Sequence, residues 1–81
     1  MLDKEKRIQN EKKFGKWDDL PDGGRRYYFN VIGRVVGSAR YVKIVDGEEK
    51  TLSFGQEIYD AFGNLIEIHQ KYPNDTGHKK V

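Results

Sequence analysis

The 81 residues contain no cysteine, so no disulfide can staple the chain and no thiolate can hold a metal. Proline occurs twice, and methionine and tryptophan once each. No apolar run approaches the roughly 20 residues a membrane-spanning helix needs. The N-terminus also lacks the apolar stretch of a secretion signal, so a cytoplasmic protein without membrane contact is expected. No charge of one sign dominates: 15 Lys and Arg stand against 13 Asp and Glu, a net charge of +2. That mild basic bias is compatible with nucleic acid but falls short of a dedicated binder. There is no Gly-rich phosphate loop, nucleophile elbow or Ser-His-Asp pattern. No cofactor is expected. Only 36% of residues are hydrophobic and 35% are charged, which bounds the protein to one small domain with a thin core.

What is present is a pattern. From residue 25 to residue 72, apolar and polar residues alternate in runs separated by turn residues, the signature of an antiparallel β-meander. Four strands are expected, over 25–36 with an interruption at Gly33, 39–45, 50–59 and 65–72. Gly37-Ser38 fits a two-residue type II′ link, which would set Val36 opposite Ala39, Val35 opposite Arg40 and Val31 opposite Ile44. Asp46-Gly47-Glu48-Glu49 and Asp60-Ala61-Phe62-Gly63-Asn64 read as the next two turns. With Tyr59 opposite Leu65, Ile58 meets Ile66, Gln56 meets Ile68, Glu57 meets Glu67, Gly55 meets His69 and Ser53 meets Lys71. Phe29, Val31, Val42, Ile44, Leu52, Phe54, Ile58, Ile66 and Ile68 then share an apolar face. Arg34, Tyr41, Lys43, Glu57, Tyr59, Glu67, His69 and Lys71 share a polar one. Arg40 falls on the apolar side as a rim residue with its head in water.

The fold class is therefore mainly β, or α+β if the N-terminal segment is helical. Residues 1–22 form a charged lead, 23–73 the meander and 74–81 a tail that leaves the sheet at Pro73. Asp3 and Arg7 stand at helical i,i+4 spacing, but Leu2, Ile8 and Phe14 repeat every six residues and make no apolar stripe. The lead reads as a frayed helix or a disordered segment. Phe14, Trp17 and Leu20, ahead of the Pro21-Asp22-Gly23-Gly24 turn, are suited to close one end of the core. The apolar face needs a cover, either this segment or a second copy of the chain.

The polar face mixes residue types that carry chemistry. Glu57 and His69 suit general base and acid, with His78 in support from the tail. Arg34, Lys43 and Lys71 suit phosphate, and Tyr41 and Tyr59 suit base stacking. His69, Asp75 and His78 lack the spacing of a metal motif, so no metal is expected. Two readings follow. The leading one is a small module that binds RNA or another nucleic acid, or a protein, through this face or a sheet edge. The alternative is a metal-independent RNA-cleaving domain in which the 2′-hydroxyl attacks the adjacent phosphate. A homodimer with stacked apolar faces is a third.

Several short runs carry a resemblance: Ser38-Ala39-Arg40-Tyr41-Val42-Lys43, Gln56-Glu57-Ile58-Tyr59-Asp60 with Gly63, Glu67-Ile68-His69, and Lys71-Tyr72-Pro73 with Gly77-His78-Lys79. Over residues 24–81 the chain resembles a family of short uncharacterised prokaryotic proteins, which implies a compact β-rich domain. More distantly, a meander closing on a His-containing tail is similar to small ribonuclease-type toxins of toxin–antitoxin systems. Those commonly end in denser histidine clusters than His69 and His78 supply.

Overall fold

The computed structural model describes residues 1–33 and 37–81. A helix, α1 (Lys4–Phe14), leads into one antiparallel sheet whose strands lie side by side in chain order. They are β1 (Lys16–Asp19), β2 (Arg25–Ile32), β3 (Ser38–Val45), β4 (Thr51–Tyr59), β5 (Leu65–Tyr72) and β6 (Gly77–Lys80). The protein is mainly β, as the alternation predicts, but the meander has six strands where four are expected. The two extra strands, Lys-Trp-Asp-Asp and Gly-His-Lys-Lys, are almost wholly exposed. They are held by ladder hydrogen bonds to β2 and β5 rather than by burial, so no hydrophobic period announces them. Being short and charged, both edges resist pairing with another chain.

Three of the hairpins share one turn. In 20–24, 46–50 and 60–64 the first residue's N–H donates to the fifth residue's carbonyl, and the fourth residue's N–H donates back to the first carbonyl. The fourth position takes positive φ in each case, at Gly23 (89°), Glu49 (73°) and Gly63 (85°). Glycine adopts that conformation freely, whereas a side chain there costs on the order of 1–2 kcal/mol. Asp46 and Asp60 fasten their turns through one carboxylate oxygen, which accepts N–H bonds from the third and fifth residues. Glu49 thus stands where its two sister turns use glycine.

The registers overturn the expected faces. β2 pairs with β3 as Tyr27–Lys43, Phe29–Tyr41, Val31–Ala39 and Ile32–Ser38, so Val31 does not meet Ile44 and Ser38 belongs to a strand rather than to a two-residue link. Paired strands stop at Ile32 and resume at Ser38, with the Gly33 N–H bonded to the Gly37 carbonyl. Arg34, Val35 and Val36 lie outside the described residues. Between β4 and β5, Tyr59 meets Leu65 as expected, but the register then shifts twice. The pairs become Ile58–Glu67, Glu57–Ile68, Gln56–His69, Gly55–Gln70 and Phe54–Tyr72. Each bulge inserts a residue and moves the following side chains to the other face. One consequence is that Glu57 never opposes Glu67. Gly55 sits where β5 presses closest, since a Cβ there would lie 2.8 Å from the His69 carbonyl oxygen. Gly55→Ala is expected to cost about 1–3 kcal/mol through backbone displacement, measured as a lower urea midpoint with an unchanged slope.

As a result each face is mixed. The helix-bearing face carries Tyr27, Phe29, Tyr41, Lys43, Phe54, Gln56, Ile58, Glu67, His69 and Tyr72, while Arg26, Tyr28, Arg40, Val42, Ile44, Glu57, Tyr59 and Ile68 point the other way. The buried apolar core is small: Phe14, Tyr27 and Val45, with Phe29, Tyr41 and Phe54 packed against it. Ile66 and Ile68, expected in that core, are exposed.

The lead forms a helix without an apolar stripe. Asp3 caps α1 by accepting the Lys6 N–H, and Gly15 ends it in the left-handed conformation. Its docking face is Arg7, Asn10, Glu11 and Phe14, at i, i+3, i+4 and i+7, and three of these four are polar. Arg7 Nε and Asn10 Nδ2 donate to the buried Glu49 carboxylate at 3.2 and 3.0 Å, and the Tyr27 hydroxyl donates to it as well. Burial raises the Glu49 pKa, but the bonds from Tyr27, Asn10 and Arg7 outweigh it and hold the group below the ordinary glutamate range. Burial, together with the Glu49 bond, pushes Tyr27 up to about 12. A second clasp is Arg25, buried between Glu11 and Asp19 at 2.8 Å each, with its guanidinium over Trp17.

Candidate functional site

The helix covers only one end of its face. Where α1 and the sheet diverge, a cleft of about 400 Å³ opens, lined by Lys6, Lys13, Phe14, Lys43, Lys50, Thr51, Phe54 and Tyr72. Lys6 and Lys13 are seven residues apart on α1, two helical turns, and so project to the same side. Lys43 comes from β3 and Lys50 from the turn before β4. Among the described residues none of these four lysines is in an ion pair. Lys43 Nζ donates to Asn10 Oδ1 at 2.9 Å, and that amide in turn donates to Glu49, so the lysine is placed by the same clasp that docks the helix. Burial lowers the Lys43 pKa, and the neighbouring positive charge of Lys13, with a smaller contribution from Lys6, lowers it further. The Glu49 carboxylate behind Asn10 offsets part of this, but no carboxylate lines the cleft itself among the described residues.

Its floor is aromatic. Lys13 Nζ lies 5.7 Å from the Phe14 ring centroid and 5.8 Å from that of Phe54. Lys71 Nζ lies 5.2 Å from the Tyr41 ring and 5.9 Å from the Phe54 ring, which extends the basic stripe across the sheet. Phe29, Tyr41 and Phe54 stack in a row beneath it, with centroids 4.9 and 6.3 Å apart. Tyr72 at the rim is 46% exposed, leaving ring surface open to a ligand.

Beyond Lys71 the stripe reaches the two histidines. His69 and His78 face each other across β5 and β6, with ring centroids 4.6 Å apart. The Asp75 carboxylate on the intervening turn lies 2.6 Å from His69 Nε2 and also takes the Gly77 N–H at 2.9 Å. The Gly77 and His69 bonds hold Asp75 below the ordinary aspartate range. Among the described residues no three His, Asp or Glu side chains are arranged to hold a metal ion.

The expected site is therefore divided. Tyr41, Lys43, Lys71, His69 and His78 share the helix-bearing face. Glu57 and Tyr59 lie on the opposite one, because Gln56 rather than Gly55 pairs with His69. There the Tyr59 hydroxyl donates to Glu57 at 2.8 Å, and the Arg26 guanidinium is 4.0 Å from the same carboxylate. Glu57 and His69 cannot act on one bond as base and acid. Arg34, expected on phosphate, is outside the described residues. Arg40 shares its face with Val42 and Ile44, where it lies over Tyr28 and Tyr59 and donates to Asn30 at 2.9 Å. Lys6, Lys13, Lys50 and Tyr72 were not expected at a site. Only the seven-residue spacing of Lys6 and Lys13 beside Phe14 signals them, and only once the helix is granted.

The chain matches no family model, no curated protein and no solved structure.

Proposed function

We propose that this protein is a small β-sheet module that binds single-stranded nucleic acid along its helix-bearing face. The observation that carries the reading is the cleft of Lys6, Lys13, Lys43 and Lys50 over an aromatic floor, continued by Lys71 above Tyr41. Unpaired lysines along a groove neutralise successive phosphates and release their counterions. Exposed aromatic rings beside them stack on bases of any identity, each contributing about 1–3 kcal/mol. The two faces differ in what they leave free. On the opposite face Arg26, Arg40, Tyr59 and Glu57 have partners in one another and in Asp18, Tyr28 and Asn30, whereas the cleft lysines have no carboxylate partner among the described residues. The short charged edges disfavour recognition of a protein by strand addition.

The test is fluorescence anisotropy with a labelled single-stranded oligonucleotide over a range of salt. Binding is expected to weaken with salt, the log–log slope falling by about 0.7 for each phosphate contact removed. Lys13→Ala with Lys50→Ala should reduce that slope by about 1.4 without lowering the melting temperature, since neither lysine is in an ion pair among the described residues. Tyr72→Ala should weaken binding by roughly 1–3 kcal/mol with the slope unchanged. No saturable binding, or one slope for wild type and double variant, overturns the reading.

A further inference from the structure

The chain has two histidines, nine residues apart, and the fold brings them ring to ring at the far end of the lysine stripe. That juxtaposition depends on the β5–β6 hairpin, whose turn is tightly bonded. The Thr76 N–H donates to the Gln70 carbonyl, the Gln70 N–H returns to Thr76 Oγ1, and the Gln70 side chain holds the Asn74 carbonyl. This bonding sets Asp75 against one nitrogen of His69. The His69 side chain is 16% exposed and oriented, whereas His78 is exposed and makes no hydrogen bond among the described residues. An imidazole oriented by a carboxylate beside a second, free imidazole is the minimum needed to move two protons in one reaction.

Resting on the nucleic-acid reading above, we propose that His69 and His78 form an acid–base pair that cleaves bound RNA by internal transesterification. With the His69 Nε2–H directed at Asp75, Nδ1 is the nitrogen left to accept a proton. It takes the proton of a ribose 2′-hydroxyl as that oxygen forms a bond to the adjacent phosphorus. The bond from phosphorus to the 5′-oxygen breaks, and protonated His78 gives its proton to the leaving oxygen. The products are a 2′,3′-cyclic phosphate and a free 5′-hydroxyl; no water, oxidant or metal enters the balance. Lys71, two residues from His69 in β5, is placed to meet charge developing on the phosphate. The charged groups flanking the pair on this face are Glu67 and Lys71 of β5, Lys80 of β6 and Asp75, while β4 contributes the neutral Gln56. Asp75 acts as a positioning residue.

The experiment incubates the full chain, in EDTA, with a labelled single-stranded RNA, the same sequence with 2′-O-methyl groups, and its DNA counterpart. All three should bind, and only the RNA should be cut, leaving cyclic-phosphate ends by mass spectrometry. His69→Ala and His78→Ala should each lower the cleavage rate by about 10²–10⁴-fold, with anisotropy and melting temperature unchanged. Asp75→Asn should slow cleavage less and shift the pH–rate profile while affinity stays constant. RNA that is bound yet intact overturns this inference and leaves the binding reading standing, as does cutting at equal rate by His78→Ala. Absence of binding to all three oligonucleotides overturns both.

Discussion

Glu49→Ala is expected to remove most of the protein's stability and to leave a sizeable unfolded fraction at 25 °C. The carboxylate is buried and accepts hydrogen bonds from Arg7, Asn10 and Tyr27, two of them buried themselves. Removing it leaves the Tyr27 hydroxyl and the Asn10 amide without an acceptor, releases Lys43 from its placed amide, and detaches α1. Breaking a buried ionic network in this way costs about 3–5 kcal/mol. A domain of this size with three buried apolar residues among those described stands near the low end of protein stability, about 5 kcal/mol. The sister turns offer a control for the backbone. Glu49→Gly removes the positive-φ strain, worth about 1–2 kcal/mol, and should be less damaging than alanine while remaining destabilised. Chemical denaturation checks the order wild type, Gly, Ala; a glycine variant as stable as wild type would show that the clasp contributes no more than the strain it carries, about 1–2 kcal/mol. The same group sets an acid dependence. Its folded pKa is depressed, so its stabilisation is complete above the ordinary value of 4.5 and drains away as pH falls through the lower folded value. That portion of the acid sensitivity should vanish in Glu49→Gln.

Phe14→Ala is the second large loss, expected at about 3–5 kcal/mol. The ring is 4% exposed and lies 5.4 to 6.3 Å from the centroids of Phe29, Tyr27 and Phe54, so it joins the helix to two strands, β2 and β4. The helix offers no other apolar side chain to fill the space, because the rest of its docking face is Arg7, Asn10 and Glu11. Phe14→Leu, which keeps most of the volume, should cost far less. Urea denaturation of the two variants checks this, and equal midpoints would remove Phe14 from the core. Because Phe14 also lines the lysine cleft, loss of nucleic-acid binding by the alanine variant should follow its unfolded fraction.

The interior strands were legible because their apolar alternation and turn residues agree. The end strands were not, since in Lys16–Asp19 and Gly77–Lys80 the packing of Trp17 alone makes no period that a pattern could register. The helix escaped for a related reason. A search for an apolar stripe finds Leu2, Ile8 and Phe14 out of phase, whereas the face that docks is Arg7, Asn10 and Glu11 around one phenylalanine. Its partners, Glu49 and Arg25, lie in distant turns and strands. The polar site was half read: Tyr41, Lys43, Lys71, His69 and His78 do gather on one face, but Glu57 was assigned there by a register that two bulges shift.

Taken alone, the chain's sequence determined that this is a small antiparallel meander with turns at Asp22-Gly23, Asp46-Gly47 and Gly63-Asn64, because turn chemistry and strand periodicity are local. Which side chains share a face was decided only by the tertiary structure. In a sheet a shift of one residue exchanges the faces, and such shifts depend on contacts between strands, as where Gly55 admits the His69 carbonyl. The lysine cleft and the paired histidines exist only once those registers, and the helix held by Glu49, are in place.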